Sequence, residues 1–161
     1  MKTFKKNDFK ICVVGMGYVG LPLAARLVFK NFNVIGFDIN EERLKELQKN
    51  NDINNDISSE LLEVFTKDSL LTSDVQDIKE CNIFIITVPT PINSDKTPDL
   101  SPIIDASNLI GSILKEGSIV IYVSTVYPGV TDEICTPVLE KRSLLTHNIN
   151  VSTGYSPERI V

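Results

Sequence analysis

"KICVVGMGYVGLPLAARLVFK", residues Lys10 to Lys30, decides how the rest of the chain is read. An apolar run, Lys10–Val14, stops at Gly15, and glycine returns at Gly17 and Gly20, where an apolar stretch of helical length begins. This G-x-G-x-x-G spacing between strand and helix gives each glycine a task. Gly15 allows the sharp turn, Gly17 lets backbone come close to a diphosphate, and Gly20 lets helix and strand pack tightly. The helix N-terminus then offers unpaired N–H groups and a partial positive charge to the same anion. Glycine-rich turns also occur for packing alone, so the context has to decide. It does so at Asp38, which ends the next apolar run in "NVIGFDIN", eighteen residues after Gly20. A carboxylate there accepts hydrogen bonds from an adenosine ribose and repels a 2′-phosphate, which predicts NAD rather than NADP. For Arg43, five residues on, two readings stand: a contact to the ribose region, or a solvated helix face.

The same alternation continues along the chain. Strands are predicted at Lys10–Val14, Asn33–Phe37, Leu70–Thr72, Asn82–Val88, Ser118–Val123 and Asn148–Thr153. Helices are predicted at Val19–Lys30, Glu41–Asn50, Ser59–Phe65, Ile103–Lys115 and Thr131–Lys141. The runs "ICVV", "IFIITV" and "IVIYV" are apolar without period-two alternation, as strands covered on both faces of a parallel sheet are. Asn40 and Ser101 read as helix starts, the second with proline just inside. The expected fold is α/β: a Rossmann-type, doubly wound, mainly parallel six-stranded sheet with helices on both faces. Polar "NNDINNDIS" (Asn50–Ser58) and the proline-rich Pro89–Pro102 are the loops, and no internal repeat or domain boundary precedes Val161.

Composition excludes several classes. The 161 residues fit one domain, and 42% hydrophobic residues suffice for a core. A net charge of −5 and the lack of a basic patch argue against nucleic-acid binding. An anionic ligand must therefore be held by a local device such as the glycine turn. No signal peptide and no membrane span are expected, because glycines interrupt the apolar run that follows the basic N-terminus. Cys12, Cys81 and Cys135 are widely spaced and odd in number, which predicts reduced, structural thiols, a cytoplasmic location and no metal site. His147, the only histidine, lies in polar "LTHNIN" and reads as a surface residue.

Ligands of open α/β sheets sit at the carboxyl ends of strands. Val88, Pro89 and Thr90 stand where the fourth strand stops, Ser124 and Thr125 where the fifth stops. Ser and Thr at such corners either cap the next segment or serve the site, and the residues alone leave both open. Tyr18 and Tyr127 likewise read either as packed rings or as site residues.

Together these segments resemble the UDP-glucose/GDP-mannose dehydrogenase family. The resemblance is carried by "GMGYVGLPLA", "GFDIN", "TVPTP", "PDLSPI", "STVYPG" and "GYSPERI", in that order from Lys10 onward. It is nearest to the branch acting on UDP-N-acetylhexosamines in capsule, O-antigen or Vi-type polysaccharide synthesis. Val123 departs from the pattern, standing where close relatives often carry glutamate. The alternatives are a stand-alone NAD-binding regulatory module and the cofactor domain of a β-hydroxyacid dehydrogenase, neither of which is expected to carry "VPTP" with "STVYPG".

The resemblance implies a two-step oxidation of a sugar C6 alcohol to a carboxylate with two NAD⁺. A cysteine captures the aldehyde-level carbon, and water releases the acid from a thioester. It implies a cofactor site of Gly15, Met16, Gly17, Tyr18, Val19, Gly20, Asp38, Ile39 and Arg43 on one side. Val88, Pro89, Thr90, Ser124 and Thr125 form the other. Thr125 would hold a water and Glu158 would take its proton. None of the three cysteines matches the nucleophile's motif. Residues 1–161 are therefore expected to be a truncated cofactor domain that binds NAD without turnover. The UDP-sugar site and the homodimer contacts would lie in absent helical and C-terminal parts.

Overall fold

The computed structural model describes residues 6–157. Six strands form one sheet: β1 (Lys10–Val14), β2 (Asn33–Phe37), β3 (Leu70–Thr72), β4 (Ile83–Ile86), β5 (Ile119–Tyr122) and β6 (Ser152–Tyr155). Their order is β3-β2-β1-β4-β5-β6, and every pairing is parallel. The chain builds outward from β1 to β3 and then returns to the other side of β1 at β4. That reversal opens a crevice at the carboxyl ends of β1 and β4, the place where doubly wound sheets bind ligands.

The unalternating apolar runs are explained by burial on both faces. Ile11 and Val13 point into one core with Leu21, Ala24, Leu44, Leu62 and Phe65, beneath α1 (Gly20–Phe29), α2 (Glu41–Gln48) and α3 (Ser59–Asp68). Cys12 and Val14 point into the other with Phe84, Ile86, Tyr122, Ile103 and Leu139, beneath α4 (Ser101–Gly111) and α5 (Thr136–Ser143). Each fully buried Leu, Ile or Phe contributes about 1.5–3 kcal/mol of transfer free energy, so both layers are needed to hold the sheet. Tyr122 is buried with its hydroxyl 2.8 Å from Ser107 Oγ, which satisfies the polar end of the ring.

Several boundaries differ from expectation. β4 and β5 are shorter than predicted, ending before Thr87 and Val123, where the chain turns into the site. β6 begins later than the expected Asn148: Asn148 has φ +58° and Asn150 N–H donates to Thr146 O, so this stretch is a turn ahead of Ser152. The predicted helix Thr131–Lys141 is two pieces, a π-helical segment Val130–Cys135 and then α5. Pro137 has no N–H to give to the carbonyl four residues back, so regular α-helix begins only around it. The last helix before it, α4, starts at Ser101 and ends at Gly111, four residues short of Lys115. Its first turn is held by Asp99, whose Oδ1 accepts the Ser101 N–H at 2.9 Å.

Candidate functional site: the crevice at the glycine turn

Gly15 has φ +103°, a left-handed conformation that suits glycine, and its N–H donates to Phe37 O at 2.8 Å. The turn therefore stays tied to β2 as it leaves β1. Gly20 is required for a different reason. A Cβ there would lie 1.8 Å from Gly15 O and 2.5 Å from Thr87 Oγ1, so only hydrogen fits where α1 begins. Gly17 is the opposite case: a Cβ would meet nothing within 4 Å. Its missing side chain faces open space, which is what an incoming ligand needs. No side chain caps the N-terminus of α1; Leu21 N–H is taken by Gly17 O at 3.0 Å and Pro22 has no N–H, so an anion meets only the donors at the very start of the helix.

Three tethers hold this turn. Asp38 Oδ2 accepts the Met16 N–H at 2.6 Å, and Oδ1 accepts the Asn40 N–H at 2.9 Å. Thr87 Oγ1 lies 2.9 Å from both Val14 O and Gly15 O, pinning the turn from β4. Arg43 Nε donates to Met16 O at 3.1 Å. Arg43 is therefore not on a solvated helix face: α2, started by the Asn40 side chain accepting from Glu42 and Arg43 N–H, buries it against the turn. Its Nη2 donates to Asp52 Oδ1 at 2.8 Å and Asp56 Oδ2 at 3.2 Å.

The opposite wall is tied as firmly. Ser124 Oγ donates to Val88 O at 2.6 Å, and Thr90 Oγ1 donates to Thr125 O at 2.7 Å. The ends of β4 and β5 are thus locked side by side, and the Ser124 hydroxyl, open between two readings in the sequence, makes a structural tie. Pro89 and Thr125 are exposed at the rim.

Between the walls lies a cavity of about 800 Å³, within the range of small-molecule and cofactor sites. It gathers the predicted residues Gly15, Met16, Gly17, Tyr18, Val19, Asp38, Ile39, Arg43, Val88, Pro89, Thr90, Ser124 and Thr125. Gly20 lies behind the surface, in its packing role, and does not line the cavity. Met16 is fully buried, so its backbone belongs to the site and its side chain to the core. Glu158 lies outside the described residues. Sequence reasoning missed Thr87, whose signal is a hydroxyl residue directly ahead of Val-Pro at a strand end. It also missed Ser101, Pro102 and Asp105 of α4 and Ile53 and Asn54 of the polar loop, all on the cavity wall. Val123 lines the cavity too and packs, partly buried, against the α1-side core.

The remaining candidates sit elsewhere. None of the cysteines lines the cavity; all three are free and buried. Burial pushes the Cys12 thiol well above its ordinary value, the Cys81 thiol to about 11, and Cys135 upward as well, so none is a ready nucleophile. His147 is half-buried rather than on the surface, with Nε2 2.8 Å from Thr153 Oγ1 and its N–H donating to Glu140 Oε1. Tyr18 and Tyr127 are exposed, Tyr18 on the cavity wall. Among the described residues no group of His, Cys, Asp and Glu is arranged to hold a metal, and no helix is long and apolar enough to cross a membrane.

Residues 9–161 match the description "UDP-glucose/GDP-mannose dehydrogenase family, NAD binding domain". The chain belongs to that family. Among relatives of this dehydrogenase family, a UDP-N-acetyl-D-glucosamine 6-dehydrogenase of Salmonella typhi is 48% identical, over 98% of this chain and 36% of its own length. A UDP-N-acetyl-D-glucosamine 6-dehydrogenase of Pseudomonas aeruginosa is 52% identical, over 96% of this chain and 36% of its own length. The solved UDP-D-ManNAc dehydrogenase of Pyrococcus horikoshii superposes with a TM-score of 0.86 at 33% identity, over 95% of this chain and 37% of that one. The chain thus spans little more than a third of these dehydrogenases, in their cofactor portion, and its cofactor is NAD.

Proposed function

We propose that this domain holds NAD⁺ for the oxidation of a UDP-N-acetylhexosamine at C6, as the cofactor part of a 6-dehydrogenase in polysaccharide synthesis. The observation that carries the reading is the convergence of four strand ends on one cavity: the turn after β1, Asp38 after β2, and the tied ends of β4 and β5. The diphosphate lies over Gly17 and the α1 N-terminus, and the adenosine ribose lies against Asp38. Val88, Pro89 and Thr90 run along the cofactor, with Ser124 and Thr125 near its nicotinamide end. The identity to two relatives named as UDP-N-acetyl-D-glucosamine 6-dehydrogenases supports the substrate branch, and the match to CapL of Staphylococcus aureus supports a capsule context.

When bound, NAD⁺ accepts hydride. The overall change converts R–CH₂OH, two NAD⁺ and water into R–COO⁻, two NADH and three protons. The chain's own contribution is to fix the cofactor, with Thr125 at the rim orienting a water and Glu158 receiving a proton from it. The thiol that captures the sugar carbon and the sugar-binding groups belong to a further part of the enzyme, which also carries its dimer contacts. Three free thiols support a reducing, cytoplasmic setting.

The test is to titrate the 161-residue chain with NAD⁺ and then add UDP-N-acetylglucosamine. Saturable NAD⁺ binding with no NADH formed is the expected result. An absence of NAD⁺ binding overturns the site, and NADH production by this chain overturns the division of labour.

A further inference from the structure

One face of the sheet runs out of helices at β5. Strand register sets Val34, Ile11, Ile83, Ile119 and Ser152 in one row across the sheet, and Gly36, Val13, Ile85, Ile121 and Gly154 in the next. Both rows point to the side of α1, since Ile11, Val13 and Ile85 belong to the core beneath it. Along the first row exposure climbs from 2% at Val34 and 5% at Ile11 to 37% at Ile119, and Ser152 is exposed. The second row ends the same way. A Cβ on Gly36 would lie 2.8 Å from Leu71 and from Met16, whereas a Cβ on Gly154 would meet nothing within 4 Å. On the opposite face Val120 and Tyr122 of β5 are fully buried, in the core formed with α4 and α5.

The run "IVIYV" has the unalternating composition of a strand covered on both faces, yet the described residues cover only one. Its second face is apolar along its whole length: Ile119, Ile121 and then Val123, which packs partly against the α1-side core and lines the cavity. These three positions span about 13 Å, the length of about nine residues of α-helix. Faces of parallel sheets are covered by helices. The chain covers 36% of each of two dehydrogenase relatives, so most of their length lies beyond the matched portion and can supply one. The strip also opens at Val123 onto the β4 and β5 end of the cavity, where the sugar carbon has to meet the nicotinamide. A second copy seated on the strip would obstruct that approach.

We propose that the face formed by Ile83, Ile119, Ile121 and Val123, bordered by Gly154, is the docking site for an amphipathic helix from the further part of the dehydrogenase. The helix lies along β5, and its end at Val123 closes the cavity beside the nicotinamide. Gly154 leaves room for its close approach at the β6 edge. Val123 thereby acquires a role: it joins the docking face to the cofactor cavity. The proposal rests on the reading above that this domain works as the cofactor part of a longer enzyme.

The experiment places single thiols on the face. Ile119→Cys and Ile121→Cys are labelled with a maleimide, read peptide by peptide by mass spectrometry. They are compared in the 161-residue chain and in a fusion in which it replaces the matching portion of the Pseudomonas aeruginosa relative. In the isolated chain both thiols should react about tenfold or more faster than the buried Cys12, whatever the protein concentration. In the fusion both should slow by about tenfold or more, while Leu144→Cys, at a position 90% exposed after α5, should react equally in the two. Ile121→Glu should leave the NAD⁺ affinity of the isolated chain unchanged and lower turnover of the fusion by about tenfold or more, because docking would bury an unpaired charge. Thiols at 119 and 121 as reactive in the fusion as in the isolated chain overturn the proposal. Protection in the isolated chain that grows with its concentration overturns it too, by making a second copy the occupant. Slow labelling of the dilute isolated chain contradicts an open face, and that result needs no fusion to fold. Failure of the isolated chain to bind NAD⁺ overturns the cofactor crevice and leaves the docking face standing.

Discussion

Gly17→Ala and Gly20→Ala add the same methyl group to one turn, three residues apart, with opposite expected consequences. At Gly20 the new carbon would sit 1.8 Å from Gly15 O and 2.5 Å from Thr87 Oγ1, and the first of these is backbone. The strand and helix must separate, which disturbs the Thr87 tether to Val14 and Gly15 as well. Overpacking of this kind costs about 3 kcal/mol or more, and a domain of this size then loses about 6–12 °C in Tm. At Gly17 nothing lies within 4 Å and φ is outside the left-handed region. Alanine there restricts the unfolded chain and should stabilise by about 0.4–1 kcal/mol. The added methyl instead occupies the approach of the diphosphate. Two charge-assisted hydrogen bonds lost at about 1.5 kcal/mol each give about 3 kcal/mol, or more than about a hundredfold in Kd. Thermal melts and NAD⁺ calorimetry on the two variants read the two effects separately. A Gly17→Ala chain that binds NAD⁺ as the parent does, or a Gly20→Ala chain with an unchanged Tm, would refute this division of roles.

Three further outcomes are expected. Thr87→Val removes a buried hydroxyl from two carbonyls and should cost about 1–2 kcal/mol, seen as a lower Tm and weaker NAD⁺ binding, with Thr87→Ser largely restoring both. The native chain should leave Cys12, Cys81 and Cys135 unmodified over a period in which the urea-unfolded chain reacts completely with a thiol reagent; rapid native labelling would contradict their burial. Those thiols also set an alkaline limit. Their folded values lie above the unfolded value of about 8.5, so their contribution is complete below that pH and is lost as pH rises towards about 11 for Cys81. The urea midpoint should therefore fall above about pH 8.5; a midpoint that rises there would contradict the shift.

Much of the architecture was legible because it is local. Glycine spacing, the carboxylate after β2 and unalternating apolar runs are all contiguous signals, and β1, β2 and β3 fall where expected. The errors came where the signal was weak or distant. β6 is an edge strand with little apolar content, and its start is hidden by the Thr146–Asn150 turn. The cavity-lining residues at strand ends were readable, but the bonds that hold them were not. Thr87 acts on carbonyls more than seventy residues away, and Ser124 reaches Val88 across two strands. Arg43 stood between two readings for a related reason: only the folded loop brings Asp52 and Asp56 to it and removes the solvated-face alternative.

The most direct measurement is an NAD⁺ titration of the isotope-labelled chain followed through its backbone amide resonances. Saturable shifts are expected at Gly15–Gly20, Asp38–Asn40, Val88, Thr90, Ser124 and Thr125, leaving α5 and the His147 turn unmoved. Shifts centred elsewhere, or none at saturating cofactor, would contradict the placement of NAD⁺ in this crevice.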